Sequence, residues 1–151
     1  MFCLDNCNCQ RIEVYSPSHM KYNYQPQIFG FYSPKFNWNG KAFYESEYGG
    51  GLFGIWWCDS GTQWVIGLPS TRGECRGYGY DHDFQKTTCP QSLSGYTWSL
   101  IFKINGHLEW RHVGNGLKIR CVTNESKFVP IQKFSGPTTN TTAPTAIASI
   151  F

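Results

Sequence analysis

The chain has 151 residues, the length of one domain with tails; 17% of them are aromatic and only 15% are charged. A formal net charge of +3 without any Lys/Arg cluster argues against nucleic acid or a charged membrane surface as the main partner. Plentiful Gly, Tyr, Phe and Trp beside scarce Leu and Ala favour strands and turns over helices.

Residues 1–10 read as a cysteine-rich leader or the end of a preceding module. MFCLDNCNC has neither the basic start nor the apolar run of a secretion signal. It holds three of the seven cysteines, Cys3, Cys7 and Cys9; the others are Cys58, Cys75, Cys89 and Cys121. So wide a spread, without paired CxxC knuckles, predicts disulfides in an oxidising compartment. The rival is zinc on Cys3, Cys7 and Cys9, which lacks a second ligand pair nearby. An odd count leaves one thiol over, or one that pairs with another chain.

Residues 11–122 carry the periodic pattern, with strand signals about every 8–12 residues and no convincing helix. Residues 11–15 alternate, placing Ile12 and Val14 on one face, and 27–33 form an aromatic run. In FNWNGKAFY, residues 36–44, Asn39-Gly40 is a strong hairpin turn. A two-residue turn there sets Trp38 opposite Lys41 and Phe36 opposite Phe43. Gly49-Gly50-Gly51 lies between strand-like runs and reads as a turn or bulge, not a nucleotide loop.

GIWWCDSGTQWVIG, residues 54–67, concentrates three tryptophans. With 59–62 as the loop, Cys58 faces Gln63, Trp57 faces Trp64, Ile55 faces Ile66 and Phe53 faces Leu68. The last six share one wholly apolar face, and a one-residue slip would break it up. Trp56 points the other way, beside Cys58, Gln63 and Val65. It either covers a disulfide or offers a ring to a ligand.

GYGYDHD, residues 77–83, sets Asp81, His82 and Asp83 in a row. Neighbours in extended chain point apart, so the triplet reads as a turn or solvated loop, with a metal site as the rival. In YTWSLIFKINGHLEWRHV, residues 96–113, two rules conflict. A two-residue Asn105-Gly106 turn sets Phe102 opposite Glu109. A three-residue loop to His107 pairs Ile104 with Leu108 and Phe102 with Trp110, and is expected because it keeps apolar side chains together. Residues 116–122 form the last strand, with Leu117, Ile119 and Cys121 on one face. The Thr/Pro-rich 123–151 read as a linker or stalk, with glycosylation sequons at Asn124 and Asn140. Membrane attachment is expected only through a flanking segment, of which the closing TAIASIF is a candidate start.

Catalytic signals are weak, and a non-enzyme without a cofactor is expected. His19, His82, His107 and His112 are dispersed, and there is neither a G-x-S-x-G elbow nor a phosphate-binding loop. Among Glu45, Glu47, Glu74 and Glu109 no spacing singles out a carboxylate pair. The aromatics Tyr22, Tyr24, Trp38, Tyr44, Trp56, Tyr78 and Tyr80 exceed what a core of this size holds. Trp56, Tyr78, Tyr80 and Trp38 are therefore the candidate ligand-binding residues, for carbohydrate or an extracellular protein.

The order of NGKAFYE at 39–45, LFGIWWC, QWVIG at 63–67, GYGYD at 77–81, Cys89-Pro90, Trp98 and LKIRC at 117–121 resembles a known module. It is a β-rich extracellular module of multidomain invertebrate proteins, whose G-x-Y strand matches Gly30-Phe31-Tyr32. Across residues 7–122 the resemblance implies a non-catalytic recognition or adhesion domain in secreted or receptor-like proteins. Cys58 and Cys75 depart from that pattern, which suggests one extra bridge, Cys58–Cys75. Cys89 and Cys121 would then pair among Cys3, Cys7 and Cys9, in a connectivity that spacing leaves open. The expected fold is all-β: a compact, disulfide-stapled antiparallel barrel or sandwich of roughly 7–10 strands. A structural spacer domain is the alternative function, with a small secreted hydrolase behind it.

Overall fold

A computed structural model describes residues 9–38, 40–82, 89–93 and 97–122. Cys3, Cys7, Asn39, Asp83, Asn124 and Asn140 lie outside the described residues. The chain divides into one compact unit, Met1–Cys121, and a second, Val122–Phe151. All strands described below belong to the first.

The fold is all-β. Its strands are β1 (Ile12–Tyr15), β2 (Gly30–Trp38), β3 (Lys41–Ser46), β4 (Gly54–Cys58), β5 (Gln63–Gly67), β6 (Gly79–His82), β7 (Ser99–Ile104), β8 (His107–His112) and β9 (Lys118–Cys121). They form a single curled antiparallel sheet in the order β8-β7-β6-β5-β4-β3-β2-β1-β9. From β1 to β8 each strand lies beside the next in sequence, through tight hairpins at β2–β3, β4–β5 and β7–β8 and longer segments after β1, β5 and β6. The last strand returns to the free edge of β1. No helix among the described residues is long and apolar enough to cross a membrane.

Alternation decides which side chains meet. Ile12, Val14, Tyr32, Tyr44, Ile55, Trp57, Trp64, Ile66, Leu100 and Ile119 project to one face and form the main core. The segment between β1 and β2 fills the hollow of the curl. Its Ile28 and Tyr22 are buried, and the Tyr22 hydroxyl donates to the Ile101 carbonyl at 2.7 Å across the core.

Two hairpins have the expected register. Trp38 faces Lys41 and Phe36 faces Phe43, whose rings stack at 5.0 Å. Cys58 faces Gln63, Trp57 faces Trp64 and Ile55 faces Ile66, with the two indoles edge to face at 5.7 Å. Leu68, expected on that apolar face, instead lies beyond the ladder and is 37% exposed. The chain turns away at Pro69, which opens a 3-10 turn, before Leu68 can pair.

The hairpin of β7 and β8 corrects the expected register. Ile104 faces His107, Phe102 faces Glu109 and Ile101 faces Trp110, so Asn105-Gly106 is a two-residue turn. Both turn residues have positive φ, 49° and 82°, as the mirror-image turns of tight hairpins require. Every residue of β8 is exposed. No apolar face of that strand had to be buried, so nothing opposed the turn chemistry. A second correction concerns 81–82: Asp81 and His82 belong to β6, not to a solvated loop.

Disulfides close the unit. Cys9–Cys121 ties the start of the domain to its last strand, and Cys58–Cys75 ties β4 to the loop after β5. Both agree with the expected pairing, and Cys89 is disulfide-bonded as well.

Candidate functional site

The outer face of the sheet carries a second, smaller cluster: Phe43, Trp56, Cys58 and Val65, with Trp38 packed against it. Residues 68–78 fold back over this cluster. The Trp56 indole N–H donates to the Glu74 carbonyl at 2.8 Å, and the Cys58–Cys75 bridge pins the same loop. The loop can return so close to β5 only because residue 77 is glycine. A Cβ there would sit 2.4 Å from the Ile66 carbonyl oxygen. The Gln63 amide then donates to the Cys75 carbonyl at 3.4 Å.

Beside the pinned loop lies a cleft of about 330 Å³. Gln63 and the Cys75–Gly77 backbone make one wall; Tyr80 and His82 of β6 and Trp110 of β8 make the other. Tyr80 is the hinge of the aromatic wall. Its ring meets Trp110 edge to face at 5.0 Å and His82 at 5.3 Å. Trp110 remains 43% exposed and His82 is exposed. At the rim, Arg76 is hydrogen-bonded to Glu74, and both side chains are largely in solvent. The arrangement offers aromatic edges and faces, one guanidinium and one amide, on a base held by a covalent bridge.

Only Tyr80 of the four candidate residues lines this cleft. Trp56 is 0% exposed, so it covers the Cys58–Cys75 bridge and offers no ring to a ligand. The packing that claims it is the returning loop, which strand alternation alone does not reveal. Trp38 is half-buried beneath the Arg72 guanidinium, which lies 4.7 Å from its ring centroid and also caps Phe36 and Phe43. Tyr78 precedes β6 and packs edge to face on Tyr24 and Phe53, each at 5.9 Å, against the main core. Tyr22 and Tyr44 are buried, and burial pushes the Tyr44 phenol up to about 12.

Trp110 is the cleft ring that sequence reasoning missed. The error follows from the hairpin register: opposite Phe102 it would face the core, but opposite Ile101 it stands on the outer face next to Tyr80. Heeding the Asn105-Gly106 turn would have found it.

Asp81 and His82 project to opposite faces. Asp81 is 1% exposed, lies opposite Trp64, and accepts the Thr97 hydroxyl on both carboxylate oxygens at 2.7 Å. His82 lies opposite Gln63 on the cleft side. Among the described residues no three His, Cys, Asp or Glu side chains converge on a metal-sized site.

Fold and site together define a disulfide-braced antiparallel β domain with a surface aromatic cleft. Comparison with family models, curated proteins and solved structures finds no match.

Proposed function

We propose that residues 11–122 form a non-catalytic extracellular recognition or adhesion module, with carbohydrate or an extracellular protein as its ligand. One observation carries this reading: the open cleft in which Tyr80, His82 and Trp110 stand together on a base braced by Cys58–Cys75. Exposed rings give large contact area at small cost in rotamer entropy, and their faces suit the C–H faces of sugars. Gln63 and Arg76 at the same cleft supply the few polar groups that orient a ligand. The disulfides favour an oxidising compartment, and the resemblance to extracellular modules points the same way. A curled antiparallel sheet of this kind can carry binding on its outer face without a catalytic group. A spacer domain would use the disulfides equally but has no use for Trp110 in solvent.

A glycan array followed by calorimetry on the best binder tests the proposal. Trp110→Ala should weaken binding at least about tenfold, roughly 1.4 kcal/mol, while the thermal midpoint stays unchanged. A binder held equally well by Trp110→Ala and Tyr80→Ala would refute this cleft as the site. No binder among glycans or extracellular-matrix proteins would favour the spacer.

A further inference from the structure

The two ends of the sheet are not alike. The outer edge of β9 lies against the segment around residues 89–93, where the Lys118 ammonium donates to the Leu93 carbonyl. β8 pairs only with β7 among the described residues, and all six of its residues are exposed. Natural sheets blunt such an edge with proline, bulges or charged side chains; the two charged residues of β8, Glu109 and Arg111, are of opposite sign, so a second copy can complement them. HLEWRH has no proline or glycine, its ladder with β7 has no bulge, and Leu108 and Trp110 are 56% and 43% exposed.

We propose that β8 is a self-association edge, on which β8 of a second copy pairs antiparallel, centred on Trp110. The backbone and the charges select this partner and this register together. Ile104 and His107 flank the two-residue turn and are therefore a hydrogen-bonded pair. By alternation Glu109 and Arg111 also direct their backbone groups to β7. Leu108, Trp110 and His112 direct theirs to the open edge. A two-fold centred on Trp110 thus lets Trp110 exchange both backbone bonds with its copy, and Leu108 with His112 of the other chain. It also sets Glu109 opposite Arg111 of the second copy, twice, by symmetry. Centring on Glu109 or on Arg111 places like charges face to face. Centring on Leu108 or His112 leaves much of the strand unpaired. The side chains of Glu109 and Arg111 are each 52% exposed and lie 3.5 Å apart on the core-facing side, clear of the cleft.

A two-fold of this kind runs perpendicular to the sheet, so both aromatic clefts open on one side of the pair. Association would therefore make a weak monovalent ligand site bivalent. The pairing itself does not depend on what the cleft binds.

Sedimentation of the full chain, from micromolar to its highest soluble concentration, tests the inference. Wild type should form a dimer. Glu109→Arg and Arg111→Glu should each be monomeric, since each opposes like charges. Mixed in equal amounts, the two variants should associate with each other, because the arginines of one then meet the glutamates of the other. Amide exchange at Leu108, Trp110 and His112 should be slow in the dimer and fast in each variant alone. Should a reversal impair folding, Glu109→Gln and Arg111→Gln replace the pair, and each should weaken the dimer at least about tenfold. A wild type that stays monomeric throughout overturns the inference. So does a dimer indifferent to these substitutions, including one held by an intermolecular cystine. Ligand binding to the monomeric variants should persist with one-site affinity, so failure of the dimer and failure of the cleft are separately visible.

Discussion

Trp56→Ala tests the account of the outer cluster most directly. The indole is fully buried, stacks near Phe43 at a centroid distance of 6.4 Å, and holds the returning loop through its bond to the Glu74 carbonyl. Truncating a buried tryptophan to alanine costs about 3–5 kcal/mol, from lost transfer energy and the cavity left behind. The lost hydrogen bond is about 1 kcal/mol of that total, because water reaches the freed carbonyl. The Cys58–Cys75 bridge keeps the loop tethered, so the cavity should not collapse completely. For a domain of roughly 110 residues this lowers Tm by about 12–20 °C. Trp56→Phe keeps most of the packing but loses the donor, and should cost about 1–2 kcal/mol. Guanidinium unfolding followed by circular dichroism measures both. If Trp56→Ala unfolds within about 0.5 kcal/mol of wild type, or loses ligand affinity at full stability, the indole is a contact residue and the loop packing described above is wrong.

Two further expectations concern the core and the hairpin. Burial raises the phenols of Tyr22, Tyr32, Tyr44 and Tyr78, with Tyr44 at about 12. The unfolded chain loses these protons first, so their contribution is complete below pH about 10 and falls as pH rises through the folded values. Stability should therefore drop above pH about 10, with tyrosinate absorbance rising alongside unfolding; full ionisation of all nine tyrosines in the folded protein at that pH would contradict the burial. For the hairpin, Lys103 and Leu108 are direct partners. Lys103→Cys with Leu108→Cys should oxidise to a bridge visible in non-reducing peptide maps, whereas Ile104→Cys with Leu108→Cys should not. The reverse outcome would restore the three-residue loop.

Legibility of the fold followed burial. Where a strand buries one whole face, as in 54–67, only one register keeps Ile55, Trp57, Trp64 and Ile66 together, and the pattern specified it. On β8 no face is buried, so the same reasoning had nothing to act on and chose wrongly. There the local preference of Asn105-Gly106 for positive φ decided the pairing. The candidate site was legible only in Tyr80. Its other rings depended on that register for Trp110, and on the faces of β6 for His82.

Local sequence alone specifies the all-β class and the alternation that separates Trp57 and Trp64 from Trp56, whereas the Cys58–Cys75 pairing was implied by the resemblance to a known module. The first two depend on local periodicity, which the chain carries independently of its long-range contacts. Long-range packing alone buries Trp56 beneath residues 68–78 and sets Trp110 beside Tyr80. Both are contacts between segments distant in sequence. They depend on how the chain returns over the outer face of the sheet, and the period of a strand carries no information about that return.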